Sequence, residues 1–145
     1  MKSIHEITDG GFTFLETLIV LAITVILSAG IGVSALQQIE RAKRTAARNH
    51  IETLRICLQS YYLDCNDYPG EDQGLISLYE KPVIYPVPDN WSGPYMDRKL
   101  PEDPWGHPYI YKKPGHDSLP YSISSYGSDG KEGGTDSAKD INSWE

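Results

Sequence analysis

The stretch Gly10-Gly-Phe-Thr-Phe-Leu-Glu-Thr-Leu-Ile-Val20 opens the longest apolar run of the chain, and a carboxylate, Glu16, stands near its start. The run continues over residues 17–36, TLIVLAITVILSAGIGVSAL, without a charge. As a helix, about twenty residues span about 30 Å, the hydrocarbon thickness of a bilayer. A core helix is the competing reading, but a chain of 145 residues rarely hides a helix that is apolar all round. A secretory signal is another: Ser28-Ala-Gly30 imitates its cleavage site. Such signals have a basic start and an apolar stretch of about 7–15 residues. Here the run is longer, and MKSIHEITDGG sets one lysine against Glu6 and Asp9. A carboxylate at the bilayer centre costs about 2.5–3.5 kcal/mol, so it has a partner or a task. Glu16 either reaches to water at the interface or has such a partner.

The helical signal does not stop at residue 36. Ala35, Ile39, Ala42, Ala46, His50, Leu54, Cys57, Tyr61 and Cys65 recur at spacings of three or four, the mark of an amphipathic helix. Gln37, Glu40, Arg41, Lys43, Arg44, Arg48, Glu52 and Arg55 lie between them as a solvated face. No proline occurs between Phe12 and Tyr68, so one helix of about 50 residues, near 75 Å, is predicted to end near Asn66. Gly30 and Gly32 are its weak point, each costing about 1 kcal/mol relative to alanine. On such a helix Cys57 and Cys65 lie about 12 Å apart along the axis, beyond disulfide reach, unless Cys65 falls past the helix end. Two small core-facing side chains are the simpler reading.

After Tyr68-Pro69-Gly70, a breaker cluster, residues up to Pro108 alternate prolines (Pro82, Pro86, Pro88, Pro94, Pro101, Pro104) with Tyr79, Tyr85, Trp91, Tyr95 and Trp105. This segment is too proline-rich for central strands and too aromatic for disorder. It reads as an ordered loop packed on the helix, with a short helix within residues 71–81. PYIYKKP (108–114) and LPYSISSYG (119–127) read as two strands joined by a turn around Gly115-His116-Asp117. A third short strand is expected at Asp140-Ile141-Asn142.

Charge is unevenly spread. Residues 1–65 hold six basic and six acidic side chains, whereas residues 66–145 hold seven and fourteen, which accounts for the whole net charge of −7. That argues against nucleic acid or anionic lipid head groups as partners of the C-terminal part and is compatible with cation binding. The loop Tyr126–Asp140 gathers acids and glycines in one bend. It does not fit the EF-hand pattern, because Ser125 and Gly127 fall where acids are required, so a solvated acidic turn is the plain reading. His5, His50, His107 and His116 lack metal-ligand spacing. No phosphate-binding or nucleophile-elbow motif occurs. Trp91, Trp105 and Trp144 read as packing side chains before they read as a sugar platform.

Several segments resemble, in order, those of the major pseudopilins of bacterial type II secretion systems, relatives of type IV pilins. These are GFTFLE (11–16), ERAKRTAA (40–47), YYLDCNDYP (61–69), DQGL (72–75), LPEDPWGHPYIY (100–111), SYGSDGKEGG (125–134) and DINSWE (140–145). The likeness covers nearly the whole chain. It implies an α+β, pilin-like fold in which one long N-terminal helix packs against a small antiparallel sheet through a long Pro/aromatic-rich connecting loop. The expected division is a leader at 1–11, a transmembrane and assembly half at 12–36, and a globular domain at 37–145. The latter comprises an amphipathic helix half at 37–66, a loop region at 67–107, and a sheet with a calcium loop at 108–145. The resemblance further implies cleavage by prepilin peptidase after Gly11, methylation of the new amine at Phe12, and a role for Glu16 in assembly by neutralising that amine. It implies one calcium ion held by the carbonyl of Tyr126 and the side chains of Asp129 and Asp136, with Asp140 a further candidate; Ser137 stands where some relatives carry another acid.

Two positions depart from the family pattern: Asp9-Gly10 precedes the cleaved glycine where a basic residue is common, and Val33 follows Gly32 where a proline is common. The implied role is that of a non-enzymatic subunit in the inner membrane, single-pass with its globular part in the periplasm, polymerising into the secretion pseudopilus. Partners would be other copies of itself, minor pseudopilins, the inner-membrane assembly platform and the lipid bilayer. Charge alone would instead keep the flank carrying Arg41, Lys43, Arg44 and Arg48 in the cytoplasm. A type IV pilin or minor pseudopilin, and a secreted calcium- or carbohydrate-binding module behind an ordinary signal peptide, are the competing readings.

Overall fold

The computed structural model describes residues 11–145, without the side chains of residues 29–34 and 137. The expected leader at 1–11 therefore lies, but for Gly11, outside the described residues. The chain divides into two compact units, Met1–Ile39 and Glu40–Glu145, and a single helix, α1 (Phe14–Cys65, 52 residues), runs through both. Its continuity follows from the absence of proline and from a supply of Leu, Ala, Arg, Gln and Glu, all good helix formers. α1 stays helical across Gly30 and Gly32; their side-chain surroundings, and the loosening expected there, lie outside the described residues.

In the first unit, every described side chain from Phe12 to Ser28 is exposed. Thr17, Thr24 and Ser28 turn their hydroxyls back onto the carbonyls of Phe14, of Val20 and Leu21, and of Thr24. The polar atoms among the apolar residues are thus satisfied within the helix. Among the described residues no helical stretch is long and apolar enough to cross a membrane. The expected span at 17–36 extends through residues 29–34.

In the second unit, α1 buries Ala47, Ile51, Leu54, Leu58 and Tyr61, spaced at three and four. The amphipathic helix is where it was expected, and Leu54, Cys57 and Tyr61 of the expected stripe are buried; before Leu54 the stripe is rotated. Ala47 rather than Ala46, and Ile51 beside His50, face the core, while Leu36, Ile39 and Ala42 are exposed. Packing decides this: the core needs Ala47, with no exposed surface at all, as a close-approach position, whereas periodicity alone admits either neighbour. Cys57 and Cys65 are both free thiols. Cys57 joins the core and Cys65 packs against it.

The connection to the sheet is ordered by polar clamps. The buried Gln73 donates through Nε2 to the carbonyls of Ile84 and Pro86 (2.6 and 2.7 Å) and accepts from Gly70 N–H. Trp91 Nε1 donates to Ser77 O, and the Tyr95 and Met96 amides to Leu78 O. The short helix expected at 71–81 is a single 3-10 turn, Leu75–Leu78. The loop does not lie wholly on the helix: Val83 and Tyr85 stand about nine-tenths exposed.

Strands β1 (Ile110–Lys112), β2 (Ser122–Ser125) and β3 (Ile141–Asn142) form an antiparallel sheet in the order β1-β2-β3. Ile110 pairs with Ser124 and Lys112 with Ser122; Ser125 pairs with Ile141. Tyr111, Ile123 and Ile141 join Tyr109 and the α1 stripe in one core. β2 is buried on both faces, contrary to the half-buried alternation expected. Residues of the 114–116 turn and of the C-terminal loop roof the serines Ser122 and Ser124 on the side away from Ile123.

Candidate functional site

Two sites matter, one at each end of the chain. At the N-terminal end, Gly11, Phe12 and Thr13 precede α1 in non-helical conformation. Among the described residues, nothing lies within 4 Å of where a side chain on Gly11 would sit. The peptide bond after Gly11 is followed by exposed residues that lie outside the helix. Thr13 starts the helix: its Oγ1 accepts the amide of Glu16 (3.3 Å) and its carbonyl accepts that of Thr17 (3.2 Å). Thr13 thus occupies the cap position and Glu16 the third helical position, the Thr-x-x-Glu spacing of a capping box. A carboxylate there also faces the positive end of the helix dipole. Thr13 was missed in the sequence reading although that four-residue signal was present. Glu16 is exposed, four residues from Phe12, with no cation beside it among the described residues. A positive charge at Phe12 after cleavage would fall at the same end of α1.

At the C-terminal end, the acidic loop is closed by glycines. Gly127 has φ 63°, and a side chain on it would meet the carbonyls of Ala138 and Lys139 at 3.0 and 3.1 Å. Gly134 has φ 91° and lies closer still to Ala138. Only glycine adopts these angles freely and allows this approach. The loop is fastened from below by the turn before β1. The fully buried Asp103 side chain accepts the amides of Trp105 and His107 on Oδ1 and the Ser125 hydroxyl on Oδ2. Ser125 Oγ in turn accepts Gly127 N–H, and His107 Nδ1 donates to the Gly127 carbonyl at 3.1 Å.

The four expected metal-binding residues are not gathered evenly. Asp129 and Asp136 are exposed; Asp129 Oδ1 accepts Lys131 N–H. Asp140 is different. Its Oδ2 accepts Gly133 N–H at 2.9 Å, while its Oδ1 is buried without a partner among the described residues. An unpartnered buried carboxylate oxygen costs several kcal/mol unless a cation meets it. Asp140 and Tyr126 line one cavity of about 350 Å3, together with Glu132, Ser122, Ser124 and Asn142. Among the described residues, no three His, Cys, Asp or Glu side chains form a metal-binding cluster. Calcium also takes main-chain and hydroxyl oxygens, and the orphaned oxygen of Asp140 beside Tyr126 and Glu132 fits such an ion. Glu132 was absent from the sequence-based set. Its signal was only one more acid in a glycine-rich bend, and the fold alone places it on the same cavity as Asp140.

Residues 34–144 match the family described as Type II secretion system, protein G. The chain is 41% identical over 137 residues to the type II secretion system core protein G of Pseudomonas aeruginosa, covering 94% of this chain and 96% of the relative. It is 39% identical over 145 residues to the core protein G of Vibrio cholerae, covering 99% and 96%. Its fold is similar to the crystal structure of the major pseudopilin from the type 2 secretion system of enterohaemorrhagic Escherichia coli. That match has a TM-score of 0.64 at 36% identity and covers 75% of this chain and 92% of the other.

Proposed function

This chain belongs to the type II secretion system protein G family, and from that membership we propose that it is a major pseudopilin that assembles through the first half of α1 after loss of residues 1–11. The carrying observation is the state of that half-helix. Phe14, Leu15, Leu21, Val25, Ile26 and Leu27 are each more than three-fifths exposed. Each large apolar side chain left in water forgoes about 1.5–3 kcal/mol, so the segment requires an apolar environment: lipid before assembly, neighbouring helices within the filament. In that setting a charged amine at Phe12 would be desolvated, and a carboxylate at Glu16, of the same chain or a neighbour, neutralises it. Thr13 supports this pairing by fixing where the helix begins.

The same membership supports placing the chain in the bacterial inner membrane with its globular unit in the periplasm. Prepilin peptidase is then the processing enzyme, and minor pseudopilins and the inner-membrane platform are the assembly partners. The role is structural: the subunit is moved and stacked, and its side chains bind rather than transform. A calcium ion at Asp140, with Tyr126 and acids among Asp129, Glu132 and Asp136, would set the loop of the exposed face. Mass spectrometry of the mature chain tests the processing: residues 1–11 absent and Phe12 methylated. A mature chain beginning near residue 30 would instead identify an ordinary secreted protein. Glu16→Ala should leave membrane insertion intact and abolish filaments; normal filaments from that variant would refute the charge pairing.

A further inference from the structure

We propose that Arg44 is the positioning residue that docks the acidic C-terminal loop onto α1 and passes the loop's state to the segment of α1 that opens the globular unit. The docking stands on geometry alone; its response to calcium rests on the calcium reading above.

Between Leu36 and Ala47, α1 has no core-facing apolar anchor: Leu36 and Ile39 are exposed and Ala47 is the first buried residue. Among the described residues, two side chains of this stretch reach the C-terminal part of the chain. Glu40 Oε1 accepts the indole N–H of Trp105 at 3.1 Å. Arg44, one turn later and so on the same face, donates through Nη1 to the carbonyl of Lys139 at 2.7 Å, with the carbonyl of Asp136 at 3.4 Å. The sequence had put both on a solvated face.

Arg44 grips main-chain oxygens, so it reads the path of the backbone and not side-chain identity. That path is the one Gly127 and Gly134 permit, since both lie against the Ala138–Lys139 peptide. The next residue, Asp140, turns its carboxylate onto Gly133 N–H and leaves Oδ1 buried without a partner among the described residues. The short strip 136–140 is thus held from the helix side by a fixed, always-charged guanidinium, and it offers a carboxylate to an exchangeable cation. A cation on Asp140 fixes the carbonyls that Arg44 holds, and Arg44 fixes the carboxylate that the cation meets. Coupling of this kind is reciprocal.

The test is hydrogen exchange on the full chain in detergent, with calcium chloride and with chelator, for the native sequence, Arg44→Ala and Arg44→Lys. In the native chain, calcium should slow exchange over 126–142 and also over 40–46. Arg44→Ala should speed exchange over 134–140 even without calcium. It should raise the half-effective calcium concentration about tenfold, the worth of one charged hydrogen bond, and abolish the calcium response of 40–46. Arg44→Lys, which keeps the charge and one donor, should regain part of each. Unchanged exchange at 134–140 in Arg44→Ala without calcium overturns the docking. A calcium response at 40–46 that persists in Arg44→Ala overturns the coupling. Calcium that slows nothing in the native chain removes the calcium reading and the coupling together, and the calcium-free comparison still decides the docking.

Discussion

Asp103 shows how much one buried carboxylate can organise. Its two oxygens accept from two amides of its own turn and from Ser125 at the end of β2, so the start of the acidic loop is tied to the turn before β1. Asparagine keeps the shape but replaces one acceptor by a donor. Hydrogen bonds to charged groups contribute about 1.5–3 kcal/mol. Asp103→Asn should therefore lower the unfolding free energy of the globular unit by about 2–3 kcal/mol in urea titrations, and an unchanged midpoint would show the network idle. At the surface, the Lys113 ammonium donates to Asp67 at 2.7 Å and also to the Tyr68 carbonyl. The Lys113 hydrogen bond, foremost, holds the Asp67 carboxyl below its ordinary range. A depressed carboxyl lends stability that is present above the unfolded value near pH 4 and is lost as pH falls through the folded value. Melting temperatures measured between pH 5 and 3 should fall less steeply in Asp67→Asn than in the native chain.

At the scale of the element, α1 serves two solvents with one continuous backbone. Its first half is apolar all round apart from Glu16 and a few hydroxyls; its second half has a single buried stripe. Leu58 lies in that stripe with no exposed surface, whereas Ile56, two residues earlier, is about two-thirds exposed. Leu58→Ala should cost about 2–5 kcal/mol through lost transfer energy and a residual cavity. Ile56→Ala should stay within about 0.5 kcal/mol in the isolated subunit. The pair distinguishes this register from one rotated by a residue, in which the two costs would approach each other. The 66–109 connection has no regular ladder to satisfy its backbone, so side chains do it: Gln73 for Ile84 and Pro86, Trp91 for Ser77, Tyr111 for Pro69.

For the whole molecule, the proposed calcium ion would link stability to the surroundings. If Asp140 and its neighbours bind the ion only when folded, calcium at about a hundred times its dissociation constant adds about 2.7 kcal/mol. The thermal midpoint of the detergent-solubilised chain should then rise by several degrees with calcium and fall back with chelator. An unmoved midpoint would dismiss the site. The apolar half of α1 and the polar unit from Glu40 onward face opposite demands, one needing a non-aqueous environment and the other water. That division is what a membrane-stored, filament-forming subunit requires.

The sequence by itself determined the long helix, the places of the three short strands along the chain and the glycine-rich acidic loop. Each rests on local chemistry: a proline-free apolar run, alternating aromatic strands, and residues that tolerate left-handed backbone. GFTFLE and the segments after it were also enough to indicate the family. Tertiary structure alone decided which neighbour in the helical stripe turns inward, that Glu40 and Arg44 leave the solvated face to hold Trp105 and the loop carbonyls, and that Asp140 keeps an oxygen without a partner. Those choices depend on what lies across the core or the cavity, roughly 60 to 100 residues away along the chain, and a periodicity carries no information about the surface it will meet.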